Sequence, residues 1–461
     1  MARAVFFHPP IRNIPLLTLP LAFLHLATGL DGTRHRIRLV DGRLEPDPIG
    51  ALLEALPGAD VLLVTTMPGS QVEGAVAACT AARQAHPDLP IVWGGTLPSL
   101  EPATTLRSGL ATAVMVGRCD RKLAAVLDAL DGIIDRADIP DVWWQSPQGP
   151  PVQGPAGRRE RQPPRRPRLD LLASVEPYIC QTRNSRRMLD YISSFGCPHL
   201  CTFCSEPMTS GGSWSAMDAD ILVDAVADTV DAHGLDGVLF QDAKFTAHEK
   251  RLVAFCNGLL ERDVNINWIA TACGADIQRF HANGVLKLMR RAGCEQLFIG
   301  AEAASPDTLA EYRKTVDGEE SFVVAELLWN RYGILPHYSY VIGHPIESLD
   351  QVQQTLDLHE AVCDLVGAPT GELGYYAPVP GTAFLRKHIE HFNVPDTLIG
   401  WARFNYFTQD LHKKPSKALA QRVFAHHLKI RRKYPHIESY VSFDVWQEQY
   451  FPAARRVACP T

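Results

Sequence analysis

Apolar residues in the first third of the chain fall into short β-rich runs at 4–8, 37–40, 61–64, 91–93 and 114–116. Between these runs the apolar spacing is helical and predicts helices over 19–27, 49–56, 71–85 and 122–130. Short apolar strands alternating with helices are the pattern of an open parallel α/β sheet of Rossmann-like type, covered on both faces. Such sheets bind ligands beyond the carboxyl ends of their strands. That directs attention to the loops His8-Pro-Pro-Ile11, Thr65–Gln71, Gly94–Ser99 and Gly117-Arg-Cys-Asp120.

The alternation resumes near Met188, with strand-like runs at 191–192, 238–241, 266–270, 296–300, 338–343 and 372–376 separated by helical segments. Six β/α units predict a partial (β/α)6 barrel of TIM type, with its chemistry at the carboxyl-terminal rim. Between the two patterns, residues 143–167 are crowded with proline, glycine and arginine, which deny the backbone regular hydrogen bonding; they read as a linker. After Phe384 the pattern turns helical and polar, with aromatics between Trp401 and Phe407 and a basic run at 429–433 that reads as a solvated helix face. The expected organisation is an α/β chain in four parts. These are a sheet domain over 1–140, a Pro/Arg-rich linker over 141–174, a barrel over 175–385, and a helical C-terminal cap over 386–461 that helps select substrate.

Composition narrows the class. Of the 461 residues, 46% are hydrophobic and 21% charged, ordinary values for a globular protein, and the net charge of -6 offers no basic field for nucleic acid. The apolar stretch 14–30 is interrupted by Pro15 and Pro20 and carries His25, so it reads as a buried or amphipathic helix rather than a signal peptide or membrane span. Eleven cysteines, odd in number and mostly scattered, fit free thiols in a reducing compartment. A cytoplasmic enzyme, with no membrane partner, is expected.

Three of those cysteines are not scattered. Cys197-Pro-His-Leu-Cys201-Thr-Phe-Cys204 follows a strand that runs into Gly196. Soft thiolates this close in sequence converge on iron–sulfur clusters or zinc, both of which usually take four ligands. Two readings stay open on spacing alone: a cluster with one iron left open, or a zinc knuckle completed by His199 or a remote cysteine.

The C-x3-C-x2-C spacing, Phe203 before the last cysteine and the strand–Gly–Cys-Pro entry resemble the radical S-adenosylmethionine (SAM) superfamily, over roughly residues 191–384. The resemblance implies that Cys197, Cys201 and Cys204 hold a [4Fe–4S] cluster whose fourth iron is chelated by SAM, with Phe203 beside the cofactor. Phe240-Gln-Asp-Ala-Lys-Phe245 is similar to that family's F-x-D-x-x-F and puts Asp242 near SAM, its alternative role being a helix cap or turn former. Phe298-Ile-Gly-Ala-Glu302 puts Glu302 against SAM, Val341-Ile-Gly-His344-Pro345 puts His344 near the adenine, and Ala377-Pro-Val-Pro-Gly-Thr382 shapes the substrate mouth. Two positions depart: Cys273-Gly274 stands where an arginine is frequent, and Glu302-Ala-Ala-Ser305 lacks a common serine. Cys273 reads as packing or as a reactive thiol.

The first domain resembles the cobalamin-binding domain that precedes many radical SAM modules. It shares Pro9-Pro10, the proline-led helix Pro20-Leu-Ala-Phe-Leu-His-Leu-Ala27 and the Gly94-Gly95 turn. The implied cobalamin contacts are Thr65, Gln71, Gly94, Gly95 and Gly117. A D-x-H-x-x-G motif is absent: Asp231-Ala-His233, Asp357-Leu-His359 and Asp410-Leu-His412 lack the glycine and lie outside the domain. The implied activity is reductive cleavage of SAM and hydrogen abstraction from an unactivated carbon, followed by cobalamin-dependent C-methylation of a small natural-product intermediate. The alternative is a non-methylating dehydratase, cyclase or epimerase, for example on an aminosugar, whose first domain only packs. The expected partners are a small-molecule substrate and an external electron donor of flavodoxin or ferredoxin type.

Overall fold

A computed structural model describes residues 1–12, 17–146, 149–157, 162–314 and 318–435. Parts of the apolar stretch 14–30, of the arginine-rich segment and of the C-terminal region therefore lie outside the described residues.

The first sheet contains β1 Arg3–His8, β2 Arg36–Asp41, β3 Val61–Thr65, β4 Ile91–Gly94, β5 Ala113–Met115, β6 Val142–Trp144 and β7 Val152–Gln153, in the order β2-β1-β3-β4-β5-β6-β7. The first five are parallel. The two-residue period of a strand sends Val5 and Phe7 into one core and Ala4 and Phe6 into the other, so the sheet is buried on both faces. The segment expected to be pure linker contributes β6 and β7, which pair antiparallel onto the β5 edge. Trp144, 2% exposed, draws that edge into the core.

The second sheet contains β8 Met188–Tyr191, β11 Gly237–Phe240, β12 Asn267–Ala272, β13 Cys294–Glu302, β14 Leu335–Ile342 and β15 Glu372–Tyr375; β9 Ser194–Gly196 and β10 Trp214–Ala216 form a separate hairpin. Its six strands are parallel, in the order β15-β14-β13-β12-β11-β8, and the two end strands do not meet, which makes a partial barrel. Val238, Phe240, Trp268 and Ala270 face the surrounding helices, while Met188, Leu239 and Ile269 pack together on the opposite face of the sheet.

The C-terminal region divides its contacts. Leu398, Trp401, Phe404 and Leu411 join the core of the first domain, against Val72, Ala75 and Leu97. The helix Lys417–Lys433 lies along Leu349–Val366, and Lys429 and Lys433 reach Glu360 at 2.6 Å and Asp364 at 2.5 Å. The basic run is thus an exposed inter-helix pairing rather than a face meeting water alone. The two domains are tied directly as well: Leu19 N donates to Asp190 Oδ2 at 3.1 Å and Tyr178 Oη to Asp41 Oδ2 at 2.7 Å. Among the described residues no helix is long and apolar enough to cross a membrane.

Candidate functional site

β8 ends at the barrel rim and turns into the β9–β10 hairpin, whose loop carries the three cysteines. Gly196 has φ of +87°, and a Cβ there would lie 1.9 Å from Ser213 O, so only glycine allows the chain to enter the Cys-Pro turn. Cys197, Cys201 and Cys204 are free and half-buried. Burial pushes all three thiols up, Cys204 to about 12, and the electrostatic influence of the neighbouring thiols adds to the rise. Such thiols stay protonated alone and are deprotonated by a bound cation.

The residues fit a cluster better than a single ion. One tetrahedral zinc with bonds of roughly 2.3 Å would draw its sulfurs to within about 4 Å of one another. Among the described residues, the only three metal-type donors all within 4.8 Å of one another are those of His388, Glu390 and His391; the cysteine sulfurs are spread more widely. His199 is engaged elsewhere, its Nε2 lying 2.6 Å from Lys244 Nζ.

Glu302 closes β13 beside this loop. It is 6% exposed and holds φ of +63°, a left-handed conformation unfavourable for glutamate, at a point where the β13–β14 register slips. Its Oε1 lies 2.8 Å from Lys314 Nζ. Burial opposes the Lys314 charge, but Glu302 and then Cys201 more than offset it and raise its pKa. Cluster loop, carboxylate and ammonium therefore share one small space.

Asp242 sits differently from a ligand facing an open pocket. Its carboxylate, 1% exposed, accepts from Ser193 N at 2.7 Å, Ser193 Oγ at 2.6 Å and Ser194 Oγ at 2.5 Å. Arg251 in turn donates to Ser193 Oγ at 2.7 Å. Asp242 thus anchors the root of the cysteine hairpin. Two residues on, Lys244 reaches the rim and contacts Asp276 Oδ2 at 3.0 Å and Cys273 Sγ at 3.2 Å. The cation that a strand-three arginine would bring is delivered here from β11. Phe203 packs on Tyr312 with ring centroids 4.7 Å apart. His344 is buried 5.5 Å from the Tyr312 and Phe384 rings, and burial lowers its pKa to about 4.

In the first domain, Thr65, Gly94, Gly95 and Gly117 line one cavity at the carboxyl edge of the sheet. Gly95 has φ of +94°, and a Cβ on it would lie 2.6 Å from Thr65 Oγ1, so the β3 and β4 loops can close only around glycine. A Cβ on Gly94 would meet nothing nearer than Met115 O at 4.0 Å, which leaves room for a flat ligand to approach the backbone. Gln71 is not on the cavity wall; its Oε1 accepts from Met67 N at 2.8 Å and orders the β3 loop. This edge faces the cluster hairpin: Arg118 lies 4.6 Å over the Phe195 ring, and a Cβ on Gly117 would be 3.5 Å from Thr209 O.

Residues 8–127 match the B12-binding domain model, and residues 191–359 match the Radical SAM superfamily model. The chain is a radical SAM protein with a B12-binding domain ahead of its barrel. These two domain types bring three cofactors, a [4Fe–4S] cluster, SAM and cobalamin, and the cysteine loop, Glu302 rim and glycine edge fit them in turn. An uncharacterized methyltransferase of Pyrococcus horikoshii is 22% identical over 349 residues, 73% of this chain and 72% of that protein. The anaerobic magnesium-protoporphyrin IX monomethyl ester cyclase of Rubrivivax gelatinosus is 25% identical over 287 residues, 59% of this chain, which spans about half (49%) of the cyclase. The radical SAM methyltransferase TsrM of Kitasatospora setae, solved with tryptophan and a SAM analogue, shares the fold with a TM-score of 0.68 at 17% identity, over 86% of this chain and 78% of that one.

Sequence reasoning missed Lys244 as a rim cation, although it lies inside the F-x-D-x-x-F match. Lys314 and Asp276 carried no sequence signal, because each acquires its role from a partner on another element.

Proposed function

We propose that this protein is a cytoplasmic C-methyltransferase that acts on a small natural-product intermediate, using SAM cleavage to activate a carbon and cobalamin to carry the methyl group. The observation that carries the reading is the facing of two edges: the glycine-lined edge of the first sheet opens towards the hairpin that bears Cys197, Cys201 and Cys204. When bound, the cluster and SAM supply a carbon-centred radical and the corrinoid supplies a methyl group; the protein supplies position.

The three cysteines would hold the cluster and leave SAM to complete it. Glu302, fixed by Lys314, would orient the SAM amino group through a charge-assisted hydrogen bond. Lys244 adds a second positive group at the rim, suited to a carboxylate of SAM or substrate. Phe203, Tyr312 and His344 form an apolar wall beside the cluster loop that excludes water from a reactive intermediate. The corrin would lie across Gly94, Gly95 and Gly117, with its nucleotide base entering the cavity behind them. An external flavodoxin- or ferredoxin-type donor would supply electrons.

The test is anaerobic turnover with methyl-labelled SAM, hydroxocobalamin, reductant and a panel of small-molecule candidates. Matched amounts of 5′-deoxyadenosine and S-adenosylhomocysteine, with label in the product, are expected. 5′-Deoxyadenosine without S-adenosylhomocysteine would favour the non-methylating reading, which the likeness to the cyclase supports. Absence of 5′-deoxyadenosine with every candidate, from protein carrying four irons, would count against both.

A further inference from the structure

Outside the cysteine loop, one group of side chains offers the donors that a metal ion takes. A ring nitrogen of His388, a carboxylate oxygen of Glu390 and a ring nitrogen of His391 all lie within 4.8 Å of one another. The backbone puts them there. His388 caps the 3-10 turn Ile389–His391, and in such a helix side chains three residues apart eclipse, so the two imidazoles stand on one face. Their ring centroids are 6.3 Å apart. Glu390 joins from between them, its Oε1 lying 3.3 Å from His391 Nε2. Two donors bound at roughly 2.0–2.1 Å to one tetrahedral ion are about 3.4 Å apart, so this pair already has the separation an ion requires.

His388 is the fixed member. It is 6% exposed, its N donates to Phe384 O at 3.1 Å, and its ring packs 4.6 Å from the Phe384 ring. Its Nε2 lies 3.6 Å from Glu311 Oε2, longer than a normal hydrogen bond, and Glu311 is itself held by Lys387 Nζ at 2.6 and 2.8 Å. A carboxylate behind an imidazole is the arrangement that orients a ligating histidine. His391 and Glu390 are the adjustable members, with 42% and 63% of their side chains exposed, so rotamer changes alone can close them on an ion.

We infer that His388, Glu390 and His391 form a site for a divalent transition-metal ion, zinc by the chemistry of its donors, with water as the fourth ligand. Two imidazoles and one carboxylate suit a borderline ion of tetrahedral habit, whereas a hard ion such as magnesium takes oxygen donors. The site is separate from the cysteine loop but shares a wall with it. Phe384 lies against His388 on one side and 5.5 Å from Tyr312 on the other, and Tyr312 packs on Phe203. The same turn holds the C-terminal segment, since His391 O accepts from Lys413 N at 2.9 Å. An ion here clamps that segment onto the wall, a structural role that goes beyond the function proposed above and does not depend on it.

The test is calorimetric titration with zinc of the full-length protein carrying its iron–sulfur cluster, so that the cysteine loop is already occupied. Wild type, Glu390→Gln and His391→Ala are compared, with circular dichroism as the check on folding. Wild type should bind one zinc ion that magnesium does not displace. Losing an outer-shell partner costs a metal site about ten- to a hundredfold in affinity, and losing a ligand costs at least as much. Glu390→Gln should therefore bind zinc at least about tenfold more weakly and His391→Ala about a hundredfold, with iron content unchanged in both. Zinc should also raise the melting temperature of wild type but not of His391→Ala, because an ion that binds only the folded state stabilises it. No zinc uptake by wild type, or equal affinity in all three proteins, would overturn the site. Magnesium bound in place of zinc would overturn the donor chemistry.

Discussion

Glu302 concentrates the physical argument at the scale of single residues. A buried carboxylate in a left-handed conformation is retained only where its surroundings over-determine it, and here Lys314 at 2.8 Å does so. Charge-assisted hydrogen bonds are worth about 1.5–3 kcal/mol, so Glu302→Gln should weaken SAM binding by roughly ten- to a hundredfold. Lys314→Met should weaken it in the same direction, because the carboxylate loses the group that orients it. Isothermal titration of both variants with SAM checks this, and unchanged affinity in both would place the methionyl end of SAM elsewhere, with Lys244 the next candidate.

At the scale of elements, the cysteine hairpin depends on Asp242. Its carboxylate satisfies one backbone N–H and two hydroxyls at the root of β9, with Arg251 close by. Asp242→Ala should therefore cost about 1–3 kcal/mol in urea unfolding, because it leaves those buried donors without their acceptor. Iron content should fall with it. Cys201→Ala should also lose iron, yet leave the stability of the metal-free protein within about 1 kcal/mol, and this contrast separates holding the loop from holding the cluster. A second element-level effect concerns the turn after β14, where Glu347 Oε2 accepts from Gly343 N at 2.6 Å. Burial pushes the Glu347 carboxyl up to about 7 from 4.5, against the pull of that bond. Because the folded value is the higher one, its charge costs stability: nothing below pH 4.5, increasing up to pH 7, and constant above. Replacing it with glutamine should accordingly be less damaging at pH 8 than at pH 4, by about 3 kcal/mol at most, as thermal melts at the two pH values would show.

For the whole molecule, the C-terminal segment acts as a bolt between domains. Trp401 is fully buried among residues of the first domain, and Gly69 N donates to its carbonyl at 3.0 Å. Trp401→Ala should cost about 3–5 kcal/mol, the usual range for emptying a large aromatic site. Corrinoid uptake should fall although the substitution lies more than 250 residues beyond the glycine edge. Residues 1–146 expressed alone should self-associate on size-exclusion chromatography, because the face that Trp401 and Phe404 cover would be bare.

The alternation of strands and helices was legible because it is local. Each strand of a sheet covered on both faces must be apolar and each covering helix must repeat every 3.6 residues, whatever lies far along the chain; the helix Gln71–Ala85 was expected over the residues that form it. The cysteine spacing was legible for a similar reason, since thiolates a few residues apart can meet in one loop. What the tertiary structure alone decided are meetings between distant segments. The sequence shows Trp401 only as one of several aromatics in a polar helical segment, not as a side chain buried in a domain formed by the first residues of the chain. It marks Asp242 as polar and placed after a strand, not as bonded to Ser193 and Ser194. It shows no link between Glu302 and Lys314, and it gives His25 only as a polar interruption of an apolar helix, not as a ring packed edge-on to Phe195, because such neighbours are a property of the space around a side chain.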